Sequence, residues 1–268
     1  MDVDLSVFLL IGLRALIALA AATIGGIIAM GKDHMNHRVL CGLVSFAAGA
    51  LLAVTVVDII PEMSQVLQGH PIVILASLVG GTLIFAAIGK YVYFVCPACA
   101  ASATEHDGGY VRLGLLLMIA MVIHSTIDGL AISAGQAVTA QVGISPVGLM
   151  ILFAVSYHKI PEGMALVSVA RLAGYTRAKA LGITVLIELT TAVGAFAGLF
   201  LLHGVSSLWL GITLGLVAGS FLYTVGFALL KEMYAHEKGS IILYIVLGFV
   251  SILALGAILQ YTGIVPPG

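Results

Sequence analysis

Two short motifs, HSTIDG and HKIPEG, each place a histidine four residues before a carboxylate. The pairs are His124 with Asp128, and His158 with Glu162. Because residues four apart share one face of an α-helix, each pair presents an imidazole and a carboxylate side by side. Two imidazoles and two carboxylates form a ligand set that suits Zn²⁺, Fe²⁺, Mn²⁺, Co²⁺ or Cd²⁺. The spacing therefore predicts a divalent-metal site built by two helices.

The rest of the sequence indicates that these helices lie in a membrane. Hydrophobic residues make up 61% of the 268 residues, and only 9% are charged. We predict an all-α integral membrane protein with a single domain over residues 1–268, in which the first helix is retained rather than cleaved as a signal peptide. Eight apolar runs are long enough to cross about 30 Å of hydrocarbon, and they fall at 5–30, 40–66, 72–95, 112–136, 146–170, 178–202, 207–230 and 240–263.

The basic residues predict the orientation of the eight runs. Of the 11 lysines and arginines, all except Arg14 and Lys159 lie in or beside the connections between runs 1–2, 3–4, 5–6 and 7–8. The positive-inside rule places these connections in the cytoplasm and both termini on the extracytoplasmic side. Runs 4 and 5 are then antiparallel, and both histidines lie near the middle of the bilayer.

Ionisable side chains at this depth require a reason to be there, because an unpaired charge in hydrocarbon costs several kcal/mol. One interpretation is that the two pairs hold the helices together by hydrogen bonds, but Ser, Thr or Asn would do so at lower cost. Pro161 favours the metal interpretation. A proline inside a helix leaves the carbonyl of Tyr157 without its usual donor, beside His158 and Glu162.

HSTIDG followed some 30 residues later by HKIPEG, in an eight-run chain with both ends outside, resembles the ZIP (Zrt/Irt-like protein) metal transporters. Within them it is most similar to the bacterial branch with HxxPEG in helix 5. The resemblance implies inverted repeats of helices 1–3 and 6–8 around helices 4 and 5. It also implies His124, Asp128, His158 and Glu162 as the metal ligands.

The activity implied by the same resemblance is secondary-type import of divalent transition metals across a prokaryotic inner membrane, without a cofactor. Zinc is the expected substrate, with iron, manganese, cobalt and cadmium as further ones. The expected partners are the metal ions and the lipid bilayer, with no nucleic acid. A homodimer is left open by Gly211, Gly215 and Gly219, a stripe that serves either close packing within the chain, sliding of helices or a dimer contact.

Some relatives have a second metal site beside the first, and the resemblance maps it to Ser125, Lys159 and Glu188 together with Asp128 and Glu162. Lys159 departs from the family pattern, since a charged ammonium donates hydrogen bonds and cannot ligate a metal. Our hypothesis is that Lys159 fills the second site as a tethered cation that pairs with Glu188, which leaves a mononuclear site. The alternative is a neutral lysine that acts as a ligand or proton carrier.

Several residues outside the central motifs are candidates for the metal path. Asp58 and Glu62 end the second run in DIIPE, and we interpret them either as an acidic outer vestibule or as an ordinary solvated helix end. On the cytoplasmic side, one CxxC motif and histidine side chains could receive or sense released metal, although such residues more commonly belong to a reduced, solvated loop. These residues are Cys96, Cys99, His106 and His236.

Two other functions would use the same ligands. An intramembrane metal-dependent hydrolase would use the metal to activate water, but the chain lacks an HExxH motif and Lys159 would compete for the open coordination position. A passive divalent-cation channel would lack saturable, gated transport. We therefore predict a transporter and no enzyme.

Overall fold

Eight helices form in the residues that the computed structural model describes, which are 4–31, 37–92, 110–142, 146–235 and 238–263. They follow the order of the eight apolar runs, and most boundaries agree within three residues. The helices are α1 (Leu5–Met30), α2 (His37–Ala53, Val54–Ile59 and Ile60–Val66), α3 (Pro71–Val92), α4 (Tyr110–Val142), α5 (Val147–Leu172), α6 (Arg177–Leu201), α7 (Ser207–Ala235) and α8 (Lys238–Tyr261).

The middle part of α2, Val54–Ile59, is π-helical. Pro61 accounts for this local change, because proline has no N–H to donate to the carbonyl four residues before it. A π-helical turn is one way to accommodate such a break, and these turns often occur at functional sites. The hydropathy of the run over 40–66 does not reveal this turn, which contains Asp58.

Two helices are longer than their apolar runs. α4 continues to Val142 and α7 to Ala235, whereas the runs end at 136 and 230. The added residues include Ala, Gln, Lys, Glu and Met, which are strong helix formers even though some are polar. Hydropathy identifies only the part of a helix that can lie in lipid. Residues with high helix propensity extend these two helices beyond that part.

Seven of the eight helices in the described part of the chain are long and apolar enough to cross a membrane. The exception is α5, whose middle carries His158, Lys159 and Glu162. It is also a central helix, since most of its residues are buried, including these three. The least apolar helix is thus surrounded by other helices, as the cost of charge in lipid requires.

Four helix pairs approach each other closely at reciprocal glycines. In each pair, a glycine faces the carbonyl of the residue three positions before the glycine of the other helix. A methyl group added at any of these glycines would fall 1.8–2.2 Å from the facing oxygen, so only glycine permits the contact. The pairs are Gly25 with Gly163 (α1–α5), Gly129 with Gly194 (α4–α6), Gly49 with Gly248 (α2–α8) and Gly81 with Gly219 (α3–α7).

The glycine stripe of α7 packs inside the chain. Gly211 lies against the side chain of Leu67, and Gly215 lies against Ser77. Gly219 meets the backbone of α3. The stripe therefore serves contacts with the end of α2 and with α3, and it does not supply evidence for a dimer.

Arg14 connects α1 to the start of α5. Only 6% of its surface is exposed, and its Nη1 donates a hydrogen bond to the Gly148 carbonyl at 3.2 Å. The sequence identifies Arg14 as a buried cation in need of a partner, but it does not indicate that the partner is a backbone carbonyl.

Candidate metal centre

The two motifs meet between α4 and α5. His124 and Asp128 lie one turn apart on α4, and His158 and Glu162 lie one turn apart on α5. All four side chains are buried, and each offers a ligand atom within 4.8 Å of the other three. The spacing of four residues places each pair on one helix face, and contact between α4 and α5 brings the faces together.

Asp128 Oδ2 lies at the centre of this cluster. It is 3.0 Å from His158 Nε2 and 3.6 Å from His124 Nε2. Two ligand atoms about 2.1 Å from one metal ion lie about 3.0–3.4 Å apart in octahedral or tetrahedral geometry. Glu162 Oε2 is 4.0 Å from His158 Nε2, so only a small side-chain movement would bring Glu162 into the coordination shell of the same metal ion.

The backbone of α5 orients His158 for ligation. Nδ1 of His158 lies 3.0 Å from the carbonyl oxygen of Ala154, one turn earlier. With a metal bound, a proton on Nδ1 would satisfy this carbonyl and leave the Nε2 lone pair free for the ion; without one, Nε2–H can donate to Asp128 Oδ2 instead. Metal-bound histidines are commonly held in this way by a second hydrogen bond.

Lys159 lies beside the cluster with none of its surface exposed. Its Nζ is 2.9 Å from one oxygen each of Asp128, Glu162 and Glu188. It also donates a hydrogen bond to Ser125 Oγ at 2.8 Å. The expected pairing with Glu188 is thus present, and the ammonium lies between Asp128, Glu162, Glu188 and Ser125.

Ser125 completes the contacts around the ammonium. Its Oγ lies 3.2 Å from Glu162 Oε1 and 3.4 Å from Glu188 Oε2. With all three carboxylates ionised and the lysine protonated, this group carries a formal charge of −2. One divalent cation balances that charge, which matters because unbalanced charge is costly in a buried, low-dielectric site.

Helix packing explains how Glu188 of α6 reaches this group. Gly129, the last residue of HSTIDG, faces the Thr191 carbonyl of α6. Glu188 precedes Thr191 by three residues, so it lies on the same face of α6 and next to Asp128. Gly163, the last residue of HKIPEG, meets α1 in the same manner. The glycine at the end of each motif therefore determines which helix packs against it, α6 for Gly129 and α1 for Gly163.

Three polar atoms near the cluster have neither a hydrogen-bond nor an ion-pair partner among the described residues. They are Asp128 Oδ1, Glu188 Oε1 and Thr191 Oγ1, and all three residues are at most 1% exposed. An unsatisfied carboxylate oxygen in such a place is a free ligand position for a cation. The sequence motifs do not identify Thr191, although its spacing of three from Glu188 places it on the same helix face.

The other candidate residues are separate from this cluster or lie outside the described part of the chain. Asp58 is half-buried in the π-helical turn, and its Oδ2 has no hydrogen-bond partner among the described residues. Glu62 is 9% exposed one turn later. Four candidates fall outside the described residues, namely Cys96, Cys99, His106 and His236.

Comparison with known proteins gives two matches that agree with this geometry. Residues 97–256, which contain both motifs, match the family described as ZIP Zinc transporter. The chain is also 30% identical over 255 residues to the protein named Zinc transporter ZupT from Corynebacterium glutamicum. That alignment covers 89% of this chain and 94% of the relative, so the likeness extends well beyond the two motifs.

Proposed function

This chain belongs to the ZIP zinc transporter family, and from that premise we propose that it imports divalent transition metal ions into the cytoplasm. Zinc is the proposed main substrate, with iron, manganese, cobalt and cadmium as further ones. The protein is an integral membrane protein, and membership of a transporter family sets aside the hydrolase interpretation. The proposed location is a prokaryotic inner membrane, with residues 1–268 as one transporter domain.

The buried cluster of two histidines and two carboxylates is the observation that carries this proposal. His124, Asp128, His158 and Glu162 place four ligand atoms within 4.8 Å at the contact of two central helices. The mixed nitrogen and oxygen donors suit transition metals, whereas Mg²⁺ and Ca²⁺ prefer oxygen ligands alone. These four residues are the proposed transport site.

The site is proposed to hold one metal ion. Lys159 Nζ lies 2.9 Å from Asp128, Glu162 and Glu188, at the positions that would have to ligate a second ion. A positive charge at the centre of these oxygens repels a second cation. One divalent ion also suffices to balance the formal charge of the group.

An inverted repeat is proposed to relate helices α1–α3 to α6–α8, with α4 and α5 exchanged. The four glycine pairs support it. The proposed repeat maps α1 onto α6, α2 onto α7, α3 onto α8 and α4 onto α5. Under this mapping, the α1–α5 pair corresponds to the α6–α4 pair. In the same way, the α2–α8 pair corresponds to the α7–α3 pair. HSTIDG and HKIPEG then occupy equivalent positions.

We propose that metal enters from the side of Asp58 and Glu62. The half-buried carboxylate of Asp58 lies in an interrupted part of α2, where a negative potential would concentrate cations ahead of the transport site. Release toward the cytoplasm past Cys96, Cys99, His106 or His236 is a further proposal. A homodimer remains a prediction.

The orientation can be tested by labelling with a thiol reagent that does not cross membranes. In a background that lacks Cys41, Cys96 and Cys99, a cysteine at His203 should react from outside intact cells, because the α6–α7 turn is proposed to be extracytoplasmic. A cysteine at Tyr175, which is 41% exposed in the α5–α6 turn, should react only after the membrane is opened. The reverse pattern would overturn the orientation.

Metal uptake into proteoliposomes tests the transport activity. The purified protein should give saturable Zn²⁺ or Cd²⁺ uptake, and competition among Zn²⁺, Fe²⁺, Mn²⁺ and Cd²⁺ would rank the substrates. His158→Ala should reduce uptake at least ~10-fold, because loss of a ligand costs at least as much as loss of a residue that orients one. The exposed residue His203 provides the control variant His203→Ala. Uptake that rises linearly with metal concentration would indicate a channel instead.

Asp58→Asn tests the proposed vestibule. Uptake should fall most at low metal and low salt, because attraction of an ion by an accessible charge is screened as ionic strength rises. Asp4→Asn is the matched control, since it removes the same charge at an exposed helix cap where asparagine also functions. A loss of uptake that does not depend on salt would contradict a steering role.

A further inference from the structure

The ammonium of Lys159 and a bound metal ion would share one ligand oxygen. Asp128 Oδ2 is 3.0 Å from His158 Nε2 and 3.6 Å from His124 Nε2, and it is also 2.9 Å from Lys159 Nζ. Of the two Asp128 oxygens, the one nearest both imidazoles is therefore also the one that the ammonium contacts. Two positive charges that approach one oxygen repel each other, so a metal bound here weakens the contact of the ammonium with Asp128.

Lys159 has a second group of partners that the metal does not need. Ser125 Oγ is 2.8 Å from Nζ and Glu188 Oε2 is 2.9 Å from it, while neither residue belongs to the four-residue metal cluster. When a metal takes Asp128 Oδ2, the ammonium can keep these two contacts. A shift of the flexible lysine side chain is enough to pass between the two arrangements.

Net transport by a carrier requires that its metal-free site close and return to the side of uptake. Without a cation, that closed site would bury three neighbouring carboxylates, whose mutual repulsion and lost hydration oppose closure. The side chains of Asp128, Glu162 and Glu188 are at most 6% exposed. Lys159 is the cation that contacts all three of them.

We propose that Lys159 is the internal counter-ion of the unloaded carrier. Its ammonium holds Asp128 and Glu162 when no metal is bound and withdraws toward Glu188 and Ser125 when metal arrives. The empty site can then close and reorient without a metal ion. This inference rests on the proposed transport function, because it assigns a step within that cycle.

Net uptake and metal exchange separate this role from a structural one. Exchange of radioactive metal for unlabelled metal across a proteoliposome membrane uses only the loaded carrier, whereas net uptake also needs the empty carrier to return. In Lys159→Met, exchange of ¹⁰⁹Cd²⁺ should persist while the ratio of net uptake to exchange falls at least about tenfold. The exposed Lys179 of α6 provides the control Lys179→Met, which should keep the wild-type ratio.

Charge rescue provides a second test. Lys159→Met raises the formal negative charge of the group by one, and Glu188→Gln in the same chain removes one negative charge again. The double variant should therefore recover most of the lost ratio. Lys159→Arg, which retains the positive charge, should keep the ratio near that of the wild type even if the methionine variant fails to fold.

Each outcome of these assays decides a distinct point. Equal loss of exchange and net uptake in Lys159→Met, with no rescue by Glu188→Gln, would overturn the counter-ion role. So would an unchanged ratio in Lys159→Met, or a reduced ratio in Lys159→Arg. Failure of the wild-type protein to perform either exchange or net uptake would instead overturn the proposed transport function.

Discussion

Burial of charge is the constraint on which the rest of this structure depends. Asp128, Lys159 and Glu188 are at most 1% exposed in a protein that is otherwise strongly apolar. Such groups are tolerated only when they pair with one another or bind an ion. Lys159 meets part of this requirement through three carboxylates at 2.9 Å. With all three carboxylates ionised, the formal charge that remains equals that of one divalent cation, so the same constraint connects stability to the proposed metal binding.

The helices around the site are arranged to satisfy this constraint. Reciprocal glycines let α4 approach α6 and α5 approach α1 at backbone contact, which excludes lipid from the polar faces of α4 and α5. The glycine that ends each motif makes this contact directly after its carboxylate. The proposed ligand and the packing residue are therefore adjacent in sequence, and the contact of Gly129 with α6 also places the helix that supplies Glu188.

The sequence predicts much of this arrangement because its signals are local. Histidine and carboxylate four residues apart define a helix face, and long apolar runs define the eight helices. Other features depend on contacts between distant residues or on backbone detail. The hydrogen bond from Arg14 to Gly148, the π-helical turn at Asp58 and the pairing of Gly129 with Gly194 are of this kind. Pairing of helices follows from which glycines meet in space, and spacing along one helix does not identify the partner helix.

The central claim is that one divalent ion binds between α4 and α5 while Lys159 occupies the neighbouring position. X-ray absorption spectroscopy of the zinc-loaded protein, combined with metal analysis, tests it most directly. We expect one zinc per chain, nitrogen and oxygen ligands at about 2.0–2.2 Å, and an imidazole signal that decreases in His124→Ala and His158→Ala. Two zinc ions per chain with a metal–metal distance of about 3.5–4 Å, or an imidazole signal unchanged in both variants, would contradict the claim.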